Sequence, residues 1–194
     1  MPAPAKFSRD EILDAAVEQI AAAGFGGASV ASIARSIGAP SGSIYHRFAS
    51  REHLIGALWV RTASRYGDSL GDVIEATAKT ELAEVIVGHT FDWVTENPNE
   101  ATLLMRFRTE DFAPGDWPDD VVASITETND RLAQRLFLAA VEIEVDPLDM
   151  MLAAIDIPAA TARRTLLLGD PDVAAHLRAR AVELVGSLLG VGDS

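Results

Sequence analysis

Between residues 29 and 51 the chain reads SVASIARSIGAPSGSIYHRFASR, and its residue types suit contact with a polyanion better than turnover of a substrate. Ser41, Gly42 and Ser43 are too small and polar to bury usefully, and Tyr45, His46 and Arg47 after them are mixed polar. Small side chains, hydroxyls and free backbone N–H groups at a helix start allow close approach to a groove and its phosphates. Arg51 follows Ser50, which reads as the N-cap of the next helix. A cation there opposes the macrodipole preference by ~0.3–1 kcal/mol, a cost that a phosphate in front of it would offset.

Enzymatic constellations do not form. His46, His53, His89 and His176 are scattered without metal-ligand spacing. Glu52-His53 lacks the second histidine of a metalloprotease helix, and Gly38-Ala39-Pro40-Ser41-Gly42 lacks the nucleophile-elbow spacing. The cluster Gly24-Phe25-Gly26-Gly27 follows a helix rather than a strand, which does not suit a phosphate loop. With no cysteine in 194 residues there is neither a disulfide framework nor a thiolate metal site. The expectation is a protein that is no enzyme and uses neither cofactor nor metal.

The elements that must position these residues are legible nearby. Ser29 is a good N-cap, and Val30, Ile33, Ala34 and Ile37 fall on one helical face. Gly38 ends that helix, since a residue without Cβ takes the left-handed conformation cheaply. Pro40 suits the first turn of a second, shorter helix carrying Ile44, Tyr45 and Phe48. Two short helices around a glycine turn make a helix-turn-helix. Upstream, Ser8 caps a helix over residues 8–23 whose stripe of Ile12, Leu13, Ala16, Ile20 and Ala23 packs over that unit; Phe25 is expected to plug the three-helix core. Downstream, Leu54, Ile55, Leu58 and Val60 mark a fourth helix from Arg51 into the sixties. Gly67 and Gly71 read as a joint, which places a domain boundary between residues 66 and 67.

Net charge is −13, which by itself argues against nucleic acid, but its distribution reverses the argument. Residues 1–66 hold seven Lys/Arg against five Asp/Glu, whereas residues 67–194 hold nine against twenty-four. Within residues 35–66 five arginines face Glu52 alone. Such asymmetry marks the part that meets an anion, and binding through it should be strongly salt-dependent. No apolar run approaches the roughly 18–20 residues that span a bilayer, so no membrane association and a cytoplasmic location are expected.

Beyond residue 67 every segment reads as helix, with no sustained alternation. Asn97-Pro98-Asn99-Glu100 is a start signal for a helix running to about Asp111, and the Pro/Gly-rich stretch from Phe112 to Pro118 is a loop. A long helix follows from Asp119 to about Glu144, with Val122, Ile125, Leu132, Leu136, Phe137, Ala140 and Val141 on its inner side. Residues 148–168 form a kinked helix or two pieces, because Pro158 pushes Ile157 off helical geometry. The last helix spans about 172–189 with an apolar face broad enough for its own domain and a partner.

Residues from about Arg9 to Leu58 resemble the DNA-binding domain of the tetracycline-repressor-like (TetR) family of bacterial transcriptional regulators. The resemblance rests on Arg9 with Ile12-Leu13 and Ala15-Ala16, Gly24, Ser29-Val30, Ile33-Ala34, Gly38, Ser43-Ile44-Tyr45-His46-x-Phe48 and Ser50-Arg51-Glu52-x-Leu54. It implies an all-α chain: an N-terminal three-helix helix-turn-helix domain (1–66, with the start of linking helix four), then a helical effector-binding and dimerisation domain (67–194). It implies that Ser41, Gly42 and Ser43 face base edges, that Tyr45 and His46 touch the backbone, that Ser29 is a further DNA-binding residue, and that Arg51 takes the place of a phosphate-binding lysine. Two departures stand out: Ala31 replaces a base-reading arginine and Ile20 a usual aromatic.

In the second domain His89, Trp93, Met105, Phe107, Phe112, Phe137 and Met151 are the large, soft or polar side chains that a small-molecule pocket could use. By resemblance, the last two long helices build a homodimer, with Ala162, Leu166, Leu177, Ala181, Leu184 and Leu188 as contact residues. The reading is a ligand-responsive regulator that binds a palindromic operator on double-stranded DNA as a homodimer, most often a repressor released by an apolar small molecule. The alternative is a small-molecule-binding helical dimer without a DNA function, which would show no salt-dependent duplex binding.

Overall fold

A computed structural model describes residues 7–106 and 117–191 of the chain. Its regular elements among these residues are all helical: α1 (Arg9–Gly27), α2 (Val30–Ser36), α3 (Ser41–Tyr45), α4 (Arg51–Glu75), α5 (Leu82–Glu96), α6 (Pro98–Arg106), α7 (Asp119–Glu142), α8 (Pro147–Met151), α9 (Ile157–Leu168) and α10 (Pro171–Leu189). A 3₁₀ turn over Lys79–Glu81 precedes α5, and a π-helical turn over Leu152–Asp156 joins α8 to α9.

Contacts divide the chain into two units. One holds the residues up to Ala63 together with Asn99–Glu127; the other holds Ser64–Pro98 and Thr128–Ser194. This division is discontinuous, whereas the glycines at 67 and 71 suggested a single cut between 66 and 67. It falls inside α4 and α7, so two long helices each contribute to both cores.

In the first unit, local chemistry sets the helix ends. Ser8 Oγ accepts from the Glu11 N–H at 3.1 Å while the Glu11 carboxylate accepts from the Ser8 N–H at 2.6 Å, closing a capping box at α1. The Ser8 N–H, and after it the Ser8 hydroxyl, hold the Glu11 carboxyl below its usual range. Gly24 stands at φ +68° and interrupts the helical geometry near the end of α1, where only glycine is unstrained. One core cluster gathers Ile12, Leu13, Ala16 and Ile20 of α1, Ile33 and Ala34 of α2, Ile44 of α3, Phe48 after it, Leu54, Ile55 and Leu58 of α4 and Leu103 of α6, and a second joins Trp59 of α4 to Val121 and Ile125 of α7. The Phe25 side chain, expected in this core, lies outside the described residues. Gly56 serves as a close-approach point, since a Cβ there would collide with Val121 of α7.

In the second unit α5 packs against α9 and α10, and α9 against α10. Gly67 and Gly71 do not break α4, which continues to Glu75. They are instead where α7 comes close: a Cβ at Gly67 would meet Leu132 at 3.3 Å, and one at Gly71 would occupy the place of the Arg135 guanidinium. Arg135 lies across that gap, donating to Glu75 at 2.7 Å, Asp72 at 2.8 Å and the Asp68 carbonyl at 3.0 Å. Glycine tolerated inside a helix costs up to ~1 kcal/mol of propensity, and here it admits a three-bond clasp.

Two further expectations need correction. Phe137 and Val141 face outward, 52% and 59% exposed, with Leu138 between them at 59%, while Ile125, Leu136 and Ala140 are the buried side of α7. The apolar stripe of α7 is wider than the face its own core uses, and periodicity alone cannot tell which edge is covered. Pro158 does not push Ile157 off helical geometry: Ile157 stands at φ −66°, ψ −52°, and the missing N–H falls just after the π turn, where the hydrogen-bond ladder is already shifted. Gly169 at φ +63° then ends α9, and Asp170 caps α10.

Replacing Gly56 by valine should destabilise the chain by about 1–3 kcal/mol through overpacking against Val121. Thermal unfolding of the variant measures this, and an unchanged midpoint would mean that α4 and α7 do not meet at Gly56.

Candidate nucleic-acid interface

The geometry of the helix-turn-helix follows from its caps and its anchors. Ser29 and Ser32 cap each other across the start of α2: Ser32 N–H donates to Ser29 Oγ at 3.0 Å and Ser29 N–H to Ser32 Oγ at 2.9 Å. Ser29 is exposed, and its hydroxyl is already engaged with Ser32. After α2, Gly38 takes φ +65°, and the Ala39 N–H reaches back to the Ala34 carbonyl at 2.8 Å. This bond closes the helix and turns the chain sharply into α3. Pro40 precedes α3 as its N-cap rather than lying inside it.

α3 has only five residues, too few to be stable alone. It is pinned from beneath by Ile44, fully buried, and by Phe48, whose ring also carries the Arg9 guanidinium 4.8 Å from its centroid. With those anchors inward, Ser41 and Gly42 are exposed, Ser43 is half-buried, and Tyr45, His46 and Arg47 project outward, Tyr45 by 54%. A Cβ on Gly42 would meet nothing within 4 Å, so its glycine is not required by the chain's own packing. All of Ser41, Gly42, Ser43, Tyr45 and His46 are therefore gathered on one short element.

Arg51 sits apart from that face. It is half-buried at the start of α4, and its Nε–H donates to the Ala28 carbonyl at 3.1 Å, tying α4 to the corner between α1 and α2. Arg47 and Arg35, both exposed, are further candidates that the sequence did not single out. The five-arginine count over residues 35–66 is the signal that could have named them. Arg47 donates to the Phe7 carbonyl at 3.1 Å, which holds its guanidinium beside α3. Behind this surface His53 bridges Ser50, 3.0 Å from its Nδ1, and Asp120 of α7, 3.3 Å from its Nε2.

The second unit carries a separate cleft of about 560 Å³ between α4, α5 and α10. Two of the residues expected to contact a ligand, His89 and Trp93, line it; Phe137 and Met151 do not. The side chains of Met105, Phe107 and Phe112 lie outside the described residues. His89 Nε2 is 2.9 Å from Ser69 Oγ, and its Nδ1 is buried without a partner among the described residues. Burial holds the imidazole below its ordinary range, while Asp92 and Glu96 act in the opposite direction. Beside it Tyr66 hydrogen-bonds Thr90 at 2.9 Å and stacks edge-on to Trp93 at 5.0 Å; burial pushes its phenol up to about 12. Tyr66 and Ser69 lie on the stretch of α4 that the two glycines near them made read as a break.

Of the residues expected at a dimer contact, Ala162 and Ala181 are fully buried within the chain, where α9 and α10 pack on each other. Small residues permit that close packing, and no partner could reach their side chains. Leu166 and Leu184 are 42% and 47% exposed, and Leu177 and Leu188 are half-buried.

Residues 12–58 match the family described as bacterial regulatory proteins, tetR family. The fatty acid metabolism regulator protein of Bacillus subtilis is 36% identical over 81 residues, 41% of this chain and 42% of that protein. That match thus spans about two fifths of the relative's length. Among solved structures, the fatty acid degradation regulator FadR from Bacillus halodurans superposes with a TM-score of 0.73 at 22% identity, covering 93% of this chain and 100% of that one. A transcriptional regulator from Rhodococcus gives 0.77 at 16% identity, with 97% and 99% covered. FadR from Bacillus subtilis, solved with stearoyl-CoA, gives 0.72 at 20% identity, with 92% and 97% covered. At these identities the structural likeness speaks for the fold, and residues 12–58 speak for the family. Residues 12–58 thus carry the helix-turn-helix domain of the tetR family of bacterial regulatory proteins.

Proposed function

We propose that the chain is a homodimeric repressor that places α3 in the major groove at each half of a palindromic operator and lets go when a small molecule binds its second unit. The observation that carries this reading is the two-sidedness of α3. Ile44 and Phe48 are locked into the core, which leaves Ser41, Gly42, Ser43, Tyr45 and His46 on the surface with open space at Gly42. In this reading the small residues meet base edges, Tyr45 and His46 the sugar-phosphate backbone, and Arg51 a phosphate beside the corner it braces. The excess of acid after residue 67 repels DNA elsewhere, so phosphate contacts stay local and affinity falls steeply with salt. A two-fold pair would read half-sites with centres about 34 Å apart or somewhat further.

The exposed leucines at 166 and 184 are the ones available to the second copy. Release follows if the effector binds better to a conformation in which the two α3 helices have the wrong separation. α4, unbroken from Arg51 to Glu75, is the element through which that preference is passed. An effector in the second unit accords with the stearoyl-CoA present in the B. subtilis FadR structure.

Selection of bound duplexes from a random pool tests the reading directly: an inverted repeat is expected, and enrichment of none, with no salt-dependent duplex binding, would leave only a ligand-binding helical dimer. Tyr45→Phe should weaken operator binding by about 0.5–1.5 kcal/mol, one hydrogen bond's worth, without moving the unfolding midpoint; full affinity would remove the hydroxyl contact. Leu184→Glu should convert the dimer to monomer by sedimentation, and a variant that stays dimeric would move the interface elsewhere.

A further inference from the structure

The cleft in the second unit has a chemical bias that the choice of effector must respect. Its walls are Val73 of α4, Val85 and Gly88 of α5 and the half-buried Trp93, an apolar surface with one large aromatic face. Its volume of about 560 Å³ lies inside the range of roughly 300–1,000 Å³ used by small-molecule sites. Glu84, Gly88, Asp92 and Glu96 follow one another at intervals of four along α5, so they form one stripe, and all four line the cleft.

The stripe already holds one cation. Arg178 of α10 donates to Asp92 at 3.0 Å, and Gly88 makes room for it, because a Cβ there would lie 3.0 Å from its Nη2. Glu84 and Glu96, on either side, have no ion-pair partner among the described residues. His89 does not redress the balance: with its imidazole held below its ordinary range it is neutral at neutral pH. Three carboxylates against one guanidinium leave the lining with an excess of two negative charges. An anionic headgroup would meet a carboxylate at three of the four positions of that stripe. A cationic one would find carboxylates beside an indole face, the two partners that an ammonium group binds.

We infer that this cleft takes an organic cation, a protonated or quaternary amine on an apolar body, which competes with Arg178 for Asp92 and so loosens α10 from α5. The inference rests on the reading of a ligand-released repressor and narrows it, since the effector it names is opposite in charge to an acyl thioester.

The test uses the full chain and three probes at constant ionic strength: benzyltrimethylammonium, its uncharged carbon isostere, and stearoyl-CoA. Calorimetry and operator release are read in parallel. Benzyltrimethylammonium is expected to bind at least about tenfold more tightly than the isostere and to weaken operator binding. The Glu84→Gln, Glu96→Gln double variant should lose about tenfold in cation affinity at an unchanged unfolding midpoint. Arg178→Gln, by removing the internal competitor, should bind the cation more tightly, an outcome that a merely structural Arg178 would not produce. Equal binding of cation and isostere, or weaker cation binding by Arg178→Gln, overturns the inference. Binding and operator release by stearoyl-CoA alone overturns it while sustaining the ligand-released repressor. Tight cation binding that leaves operator affinity untouched keeps the site and removes the effector role.

Discussion

Burial of Ile44 and Phe48 is the constraint on which the exposed face of α3 depends. A five-residue helix has no stability of its own, so α3 exists only because those two side chains complete the core built by α1, α2 and α4. The same anchoring determines what is exposed. With Ile44 inward, helical geometry turns Ser41, Gly42 and Tyr45 to the surface, and the left-handed turn at Gly38 sets the angle at which α3 leaves α2. The same few residues thus settle both faces of α3: the inward side chains hold the helix and the outward ones stay at the surface.

In the second unit the organising device is close approach at glycine. Gly67 and Gly71 let α7 lie against α4, and the Arg135 clasp onto Asp72, Glu75 and Asp68 takes the place that side chains would have filled. Gly88 does the same for Arg178 over α5. Each case exchanges local helix propensity for a contact between elements distant in sequence. Next to them Tyr66, Thr90, Ser69 and His89 form a half-buried polar group on which the aromatic wall of the cleft rests. A cleft bounded by such hydrogen-bonded side chains and one exposed ion pair is well suited to rearrange when a charged ligand arrives, because replacing one ion pair by another costs little net energy at a solvent-accessible site.

Much of this was legible from the chain alone, and for a definite reason. Caps, turns and short-range periodicity are local: Ser8 with Glu11, Ser29 before Val30, Gly38, Asn97-Pro98 and Asp170-Pro171 each specify an end within a few residues, and the helices begin and stop where those signals stand. The all-helical class and the family resemblance follow from the same local pattern. What the chain alone did not reveal depends on partners far away in sequence. Gly67 and Gly71 look like a break unless one knows that α7 needs the space. Phe137 and Val141 look like core unless one knows which edge of α7 is covered. Ala162 and Ala181 look like a contact stripe, yet they are consumed by the packing of α9 on α10.

The amino-acid sequence by itself thus determined the helix-turn-helix, the basic bias of its first third and the acidic character of the remainder, because each rests on residue type and spacing of a turn or two. Only the tertiary structure decided which glycines are joints and which are contacts. It also carried α4 through to Glu75 and brought Glu84, Asp92, Glu96 and Trp93 of α5 together with Arg178 of α10 in one cleft. The physical reason is the range of the interactions: a cap is settled by its neighbours, whereas a cavity and its charge are set by side chains that meet only after distant helices have packed.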